Sequence, residues 1–221
     1  MPMREDGKGV QYDEIDYLKT YHGMEGLMET GLFHSGKSGI FVLYYHFQPI
    51  NELHLGQCRA LGVSNFNQFQ LNRLLTEAKS HLPVNNQIEI NPYFNNDELV
   101  QFCHAQNVLV TAYSPLGNPS APATRAWADD HVPLIEDERL TAMATKYGKS
   151  PAQILIRYAI DRGCCVIPKS TSEHRIIANG DVFDFELTKD EVDSILAFEK
   201  GFRVVELSHN DNHKDQLTKA I

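Results

Sequence analysis

Residues 60–66 (ALGVSNF) constrain the fold of this chain most, because they have the pattern of a buried strand that ends abruptly in small polar side chains. Similar junctions between an apolar run and polar residues follow at 86–90, 108–117 and 166–170. In parallel β/α barrels the ligand-holding residues lie at the carboxyl ends of the strands. Helical stretches separate the junctions, so the pattern predicts an α/β fold with a parallel sheet or barrel.

Composition excludes several classes of protein. Of the 221 residues, 42% are hydrophobic and 22% are charged, which is ordinary for a globular domain with one core. The net charge of −9 argues against nucleic acid or an anionic membrane as a partner. The first residues lack the apolar core of a signal peptide, and the longest apolar run, 39–45, is too short to span a bilayer. We therefore expect a cytoplasmic protein.

Local signals predict several helices. Apolar residues recur at helical spacing within residues 13–30, at Ile15, Leu18, Tyr21, Met24 and Met28. Three pairs have the spacing of a capping box at a helix start: Asn95 with Glu98, Ser150 with Gln153, and Thr188 with Glu191. Pro151 stands at a first helical position, where its missing N–H costs nothing.

The cysteines and histidines do not predict a metal site. Cys58, Cys103, Cys164 and Cys165 have neither metal-binding nor redox spacing, so we interpret them as reduced, buried thiols. Two histidines in the polar tail, His209 and His213, have helical spacing but no third ligand in evidence.

Residues 31–38 match the phosphate-binding pattern GxxxxGK[ST]. That motif requires a strand before the glycines and a helix after them, so that the helix N-terminus faces the phosphate. Here a predicted helix precedes the match and the strand-like run 39–45 follows it. We therefore interpret the match as a coincidence.

The order and spacing of the four junctions resemble the aldo-keto reductase family over about residues 58–207. The resemblance implies the C-terminal half of a (β/α)8 TIM barrel, incomplete in this chain. The resemblance also implies that residues 1–221 form one partial NADP-dependent oxidoreductase domain with a polar tail at 208–221. In the family the helix within 13–30 is the fourth barrel helix, and the tail is a loop that shapes substrate choice.

The same resemblance identifies two departures from the family. The catalytic Asp, Tyr, Lys and His lie on the family's first four units, so no residue here matches them and no catalytic residue is predicted. We expect the chain alone to be inactive as a reductase. Joining residues 29–32 to 58–62 restores the family pattern, so residues 33–57 look like an insertion, from a retained intron or a gene-model artefact. Sequencing the transcript across codons 32–58 would show whether residues 33–57 are a real insertion in the protein.

The resemblance implies NADPH as the cofactor and a small aldehyde or ketone as the substrate. Ser64, Asn65 and Gln87 match the residues that hold the nicotinamide carboxamide, and Tyr113 matches the aromatic residue that stacks on its ring. The turn after Tyr113 matches the pyrophosphate loop, through Ser114, Pro115, Leu116 and Gly117. Singly, each has a structural alternative: a helix cap, a buried amide, a core aromatic or a simple turn.

Residues 167–179 give the strongest indication of a cofactor-binding site. A Lys, a hydroxyl and an Arg near a helix N-terminus suit a dianionic phosphate. Lys169, Ser170, Arg175 and Asn179 match the family's pocket for the 2′-phosphate of NADPH. Ala178 departs from the family, where many members have an acidic residue, which implies weaker contact with adenine. The alternative is a charged surface loop.

A second hypothesis makes the chain a non-catalytic protein, either an NADP-binding remnant or a protein that self-associates. A half barrel leaves open strand edges, which invite pairing with another chain. The apolar run 40–47 could cover one edge by adding a strand.

Overall fold

A computed structural model of the chain describes residues 16–29, 40–43, 60–119 and 132–205. Cys58, the GxxxxGK[ST] match at 31–38, most of the predicted insertion at 33–57, and the tail at 208–221 lie outside the described residues. The two histidines of the tail are therefore not described either.

The described residues form seven α-helices and five β-strands. The helices are α1 (Tyr17–Glu29), α2 (Gln68–Glu77), α3 (Asp97–Ala105), α4 (Glu138–Tyr147), α5 (Pro151–Asp161), α6 (Glu173–Gly180) and α7 (Lys189–Leu196). The strands are β1 (Ile40–Leu43), β2 (Ala60–Ser64), β3 (Asn85–Glu89), β4 (Leu109–Tyr113) and β5 (Cys165–Val166). A 3-10 turn at Leu134–Glu136 precedes α4.

The strands form one sheet in the order β1-β2-β3-β4-β5. The pairs β1–β2, β2–β3 and β4–β5 are parallel. From β2 onward each strand is followed by helix before the next strand, which is the arrangement of a (β/α)8 barrel and confirms the predicted fold class. The predicted extra strand within residues 40–47 is also confirmed, because Ile40 pairs with Ala60 and Leu43 with Val63.

Two of the three predicted capping boxes are present, at Ser150 with Gln153 and at Thr188 with Glu191. The third prediction is wrong. The Asn95 side chain accepts from the N–H of Asp97 at 3.0 Å, and Asn96 has a left-handed φ of 50°, so α3 begins only at Asp97. A box that the sequence reading missed, Asn67 with Gln70, begins α2.

The chain divides into two compact units. Unit 1 comprises Met1–Gln87, Phe102–Leu109 and Glu206–Ile221. Unit 2 comprises Ile88–Gln101 and Val110–Val205.

In unit 1, four members of the apolar face that the sequence predicted for α1 are buried, Leu18, Tyr21, Met24 and Met28, and the fifth, Ile15, lies outside the described residues. Glu25 is also buried on α1. One of its carboxylate oxygens accepts the backbone N–H groups of Lys79, Ser80 and His81 at 2.7–2.9 Å. Burial raises the pKa of Glu25, but these hydrogen bonds more than offset it and the net pKa lies below the usual value. Glu25 thus fixes the connection between α2 and β3.

Unit 2 has its own hydrophobic core, built by α4, α5, α7 and the segments next to them. Its buried members are Tyr93, Leu134, Leu140, Ala144, Ile154, Leu155, Tyr158, Leu187, Ile195 and Phe198. Leu116, in the loop after β4, packs against this core.

Three cysteines, Cys103, Cys164 and Cys165, lie within the described residues as thiols rather than disulfides. Cys103 and Cys164 are buried as predicted, and burial raises the pKa of Cys103 to about 11. The prediction is wrong for Cys165, which is exposed. Successive residues of an extended chain face opposite sides, and β5 is the last strand of the sheet, so burying Cys164 turns Cys165 outward.

Candidate functional site

The structure brings Ser64, Asn65 and Gln87 together in unit 1. Ser64 is paired with Gln87 across β2 and β3. The Ser64 hydroxyl and the Asn65 N–H both donate to the Gln87 carbonyl oxygen, each at 2.9 Å. The donor of the Ser64 hydroxyl is therefore used, while its oxygen retains acceptor capacity. These residues form what we call the carboxamide set, at the carboxyl end of β2.

Asn86 holds the loop that follows the carboxamide set. It is fully buried; its side-chain oxygen accepts from the Phe66 N–H at 3.3 Å, and its amide nitrogen donates to the Phe66 carbonyl at 2.8 Å. Asn65, directly before Phe66, has a left-handed φ of 59°. Both Phe66 backbone groups are thus fixed, which restricts where Asn65 can lie.

Asn86 is not among the site residues predicted from the sequence. The composition of β3 could have indicated a role for it, because this strand contains Asn85, Asn86, Gln87 and Glu89 and is buried throughout. Buried polar groups are costly unless they are hydrogen-bonded. A strand with this composition therefore indicates side chains with specific partners.

In unit 2 the chain turns sharply after β4. The Gly117 N–H donates to the Ser114 carbonyl at 3.0 Å, and Ser114, Gly117 and Asn118 all have φ between 49° and 66°. Leu116 packs against the core of unit 2, so its side chain has a structural role. Tyr113, the last residue of β4, is half-buried.

Within unit 2, the loop after β5 begins beside the end of β4, because Ala112 pairs with Val166 and the Ile167 N–H donates to the Ala112 carbonyl at 3.1 Å. Along this loop, the Ser170 hydroxyl oxygen accepts the Ser172 N–H at 3.1 Å, just before α6 begins. Such an arrangement fixes the direction in which the helix starts.

Lys169 lies four residues before α6 in the sequence, and Arg175 and Asn179 lie on the helix. Arg175 and Asn179 are four residues apart on the helix and so lie on the same side. Lys169 and Arg175 are exposed. Ser172, at the N-cap, makes no side-chain hydrogen bond to the helix, and the N-terminus of a helix favours negative charge. With Ser170, these residues form what we call the phosphate set.

The two cations of the phosphate set, Lys169 and Arg175, form no ion pair with the part of the protein that the structure describes. Within residues 16–29, 40–43, 60–119 and 132–205, no ion pair involves Lys169 or Arg175. Six other cations of unit 2 are ion-paired: Arg139 with Asp137, Lys146 with Glu191, Lys149 with Asp181, Arg157 with Asp161, Arg162 with Asp97, and Lys189 with Asp193. Two unpaired cations near a helix start are suited to an anion.

Two further findings concern only the part of the chain that the structure describes. No group of three or more His, Cys, Asp or Glu side chains there is arranged to hold a metal ion. No helix there has both the length and the apolar character needed to cross a membrane.

Comparisons with known proteins agree on one family. The profile of the Aldo/keto reductase family matches residues 45–200. The chain is 40% identical to the aldo-keto reductase AKR2E4 of Bombyx mori over 196 residues, which cover 89% of this chain and 54% of the relative. It is 37% identical to aldo-keto reductase family 1 member A1-A of Danio rerio, covering 93% of this chain and 54% of the relative. The chain therefore spans about half the length of these relatives.

Solved structures that resemble this chain belong to the same family. The crystal structure of Bombyx mori AKR2E4 in complex with NADP superposes with a TM-score of 0.73 at 38% identity, covering 96% of this chain and 58% of that one. The structure of AKR2E5 complexed with NADPH has a TM-score of 0.71 at 33% identity, covering 89% and 52% of the two chains.

Proposed function

This chain belongs to the Aldo/keto reductase family, and from that premise we propose that it binds NADPH and belongs to an oxidoreductase that reduces small aldehydes or ketones to alcohols. The observation that carries the proposal is the phosphate set. Lys169 and Arg175 are unpaired within the described residues; Lys169 precedes α6, Arg175 lies in its first turn, and Ser170 stands between them along the chain. A 2′-phosphate is the group that distinguishes NADPH from NADH, and it needs such cations.

The remaining predicted residues would hold the rest of the cofactor. By the family resemblance, the carboxamide set would hold the nicotinamide carboxamide, a group that both donates and accepts hydrogen bonds. Tyr113 would stack on the ring, and the turn with Ser114 and Leu116 would hold the pyrophosphate through backbone groups. Bound NADPH supplies the hydride, and these residues bind and orient it.

The chemical step is a separate prediction. By the resemblance, no residue of this chain matches the proton-transferring tetrad, so its inactivity alone as a reductase stays a prediction. An aldehyde assay with NADPH tests it. The cytoplasmic location, the single partial domain over 1–221, the insertion at 33–57 and the tail at 208–221 also stay predictions.

A thermal melt of the 221-residue chain tests cofactor binding directly. At a hundredfold excess over Kd, a ligand that binds only the folded state raises the free energy of unfolding by about 2.7 kcal/mol. We expect NADPH to raise Tm clearly and NADH to raise it much less, since NADH lacks the 2′-phosphate. A melting temperature that is indifferent to NADPH would contradict the proposal.

Self-association is a second candidate, and α6 favours it. This helix buries none of its residues, and Ile177 is 68% exposed on it. Two more large apolar side chains nearby in sequence, Ile176 and Phe183, are also exposed. Large exposed apolar groups often mark interaction surfaces, and β5, which precedes α6, is the terminal strand of the sheet.

Analytical ultracentrifugation of three proteins tests this candidate. We expect the wild-type chain to sediment as a dimer or larger species, and Ile177→Glu to shift it toward the monomer. Phe69→Glu is the matched control, because Phe69 is equally apolar and 76% exposed but lies on α2. A monomeric wild-type chain, or equal shifts from both variants, would contradict association through α6.

A further inference from the structure

Glu89 is a buried carboxylate at the carboxyl end of β3 that the proposed cofactor role does not use. Its side chain is 1% exposed. One oxygen accepts from the Val204 N–H and from the Asn91 side-chain amide, the latter at 3.2 Å. The other oxygen accepts the Val205 N–H at 3.0 Å. Two consecutive backbone N–H groups from a distant part of the chain thus converge on one carboxylate.

Burying a charged carboxylate costs free energy. The two acceptor oxygens of the group explain why a carboxylate is nevertheless found here. Burial raises the pKa of Glu89, although the hydrogen bonds from Val204 and Val205 oppose the rise. Only a carboxylate presents two acceptor oxygens to two neighbouring donors. Glutamine would direct its NH2 group at an N–H donor, and an apolar side chain would leave buried N–H groups without acceptors.

Other contacts hold the same stretch along the loop that follows β3. The Asn95 N–H donates to the Glu199 carboxylate at 2.6 Å. The N–H groups of Lys200 and Phe202 donate to the Tyr93 carbonyl at 3.1 and 3.0 Å. Hydrogen bonds therefore hold segment 199–205 along its length, and Glu89 makes those at its C-terminal end.

We infer that Glu89 is a positioning residue, whose carboxylate clamps the backbone of Val204 and Val205 and fixes the end of segment 199–205 at the carboxyl end of β3. In β/α barrels this end of the strands carries the ligand. The relevance of the clamp to ligand binding rests on the proposed function. The clamp itself rests only on the contacts within unit 2.

Amide hydrogen exchange in the Glu89→Gln variant of the full chain tests the clamp. We expect exchange at Val204 and Val205 to be faster by at least about tenfold, because charge-assisted hydrogen bonds are lost. Tm should fall only slightly, and amides in the core of unit 2 should keep their protection. A purely structural residue would instead lower Tm and accelerate exchange throughout unit 2.

The chain offers a matched control in Glu25, another buried carboxylate that accepts backbone N–H groups. Glu25→Gln should leave exchange at Val204 and Val205 unchanged. If Glu89→Gln does not fold, Val205→Pro removes one donor without changing the buried acid, and exchange at Val204 should still accelerate. Unchanged exchange in the folded variant would overturn the clamp.

The two proposals fail separately. The exchange measurement needs no ligand, so a wild-type chain that ignores NADPH leaves the clamp standing if Val204 and Val205 are released by Glu89→Gln. Conversely, NADPH binding with unchanged exchange at these two residues removes the clamp and leaves the cofactor role intact.

Discussion

Replacement of both Lys169 and Arg175 by alanine is expected to weaken NADPH binding by about a hundredfold and to leave NADH binding within about twofold. Each cation should contribute about tenfold, because a hydrogen bond to a charged group is worth about 1.5–3 kcal/mol. NADH lacks the 2′-phosphate and so has nothing for these side chains to bind. Titration of cofactor fluorescence or calorimetry measures both dissociation constants.

Lys189→Ala is the matched control for charge. Lys189 is exposed in unit 2 like the two cations, but it is ion-paired with Asp193 on α7. Its removal lowers the positive charge of the same unit by one, so it measures the general electrostatic contribution, which salt also screens. If Lys189→Ala weakens NADPH binding as much as Lys169→Ala does, local phosphate recognition is the wrong explanation. Equal losses for NADPH and NADH would likewise place the two cations outside the 2′-phosphate pocket.

Local sequence patterns predicted several helix starts and strand ends of this fold correctly. A capping box depends on residues three positions apart, and so those at Ser150 and Thr188 could be identified without knowledge of the rest of the chain. The strand ends at Ser64 and Tyr113 were equally visible, because an apolar run stops there at polar side chains. These alternations predicted an α/β fold with a parallel sheet or barrel, and the family resemblance implied the (β/α)8 class.

The failures arise where distant residues decide the local structure. The Asn95 side-chain amide donates to the Leu196 carbonyl, and that of Asn96 donates to the Glu89 carbonyl at 2.7 Å. These contacts accompany a left-handed Asn96 rather than a first helical residue, so the predicted cap at Asn95 does not form. Glu89 itself was missed because its N–H partner Val204 lies 115 residues away in the sequence.

Gly117→Ala is expected to lower the free energy of unfolding by about 3 kcal/mol, the sum of two separate costs. Gly117 has a φ of 66°, where a side chain costs about 1–2 kcal/mol. A Cβ atom there would also lie 2.7 Å from Leu134 Cδ1. Leu134 is fully buried in the core of unit 2 and has little room to withdraw. Chemical denaturation of both proteins measures the difference.

Gly148→Ala separates the two costs, since Gly148 has a similar φ of 63° but nothing within 4 Å of the added methyl group. It should lose only about 1 kcal/mol, the cost of the left-handed backbone. The excess loss in Gly117→Ala is then the clash with Leu134. Combining Gly117→Ala with Leu134→Ala should cost less than the sum of the single changes, because the shortened side chain makes room for the methyl group. Equal losses from the two glycine variants, or additivity in the double variant, would mean that Leu134 moves aside freely. The turn after β4 would then tolerate a side chain at 117, and the core of unit 2 would not be what fixes its shape.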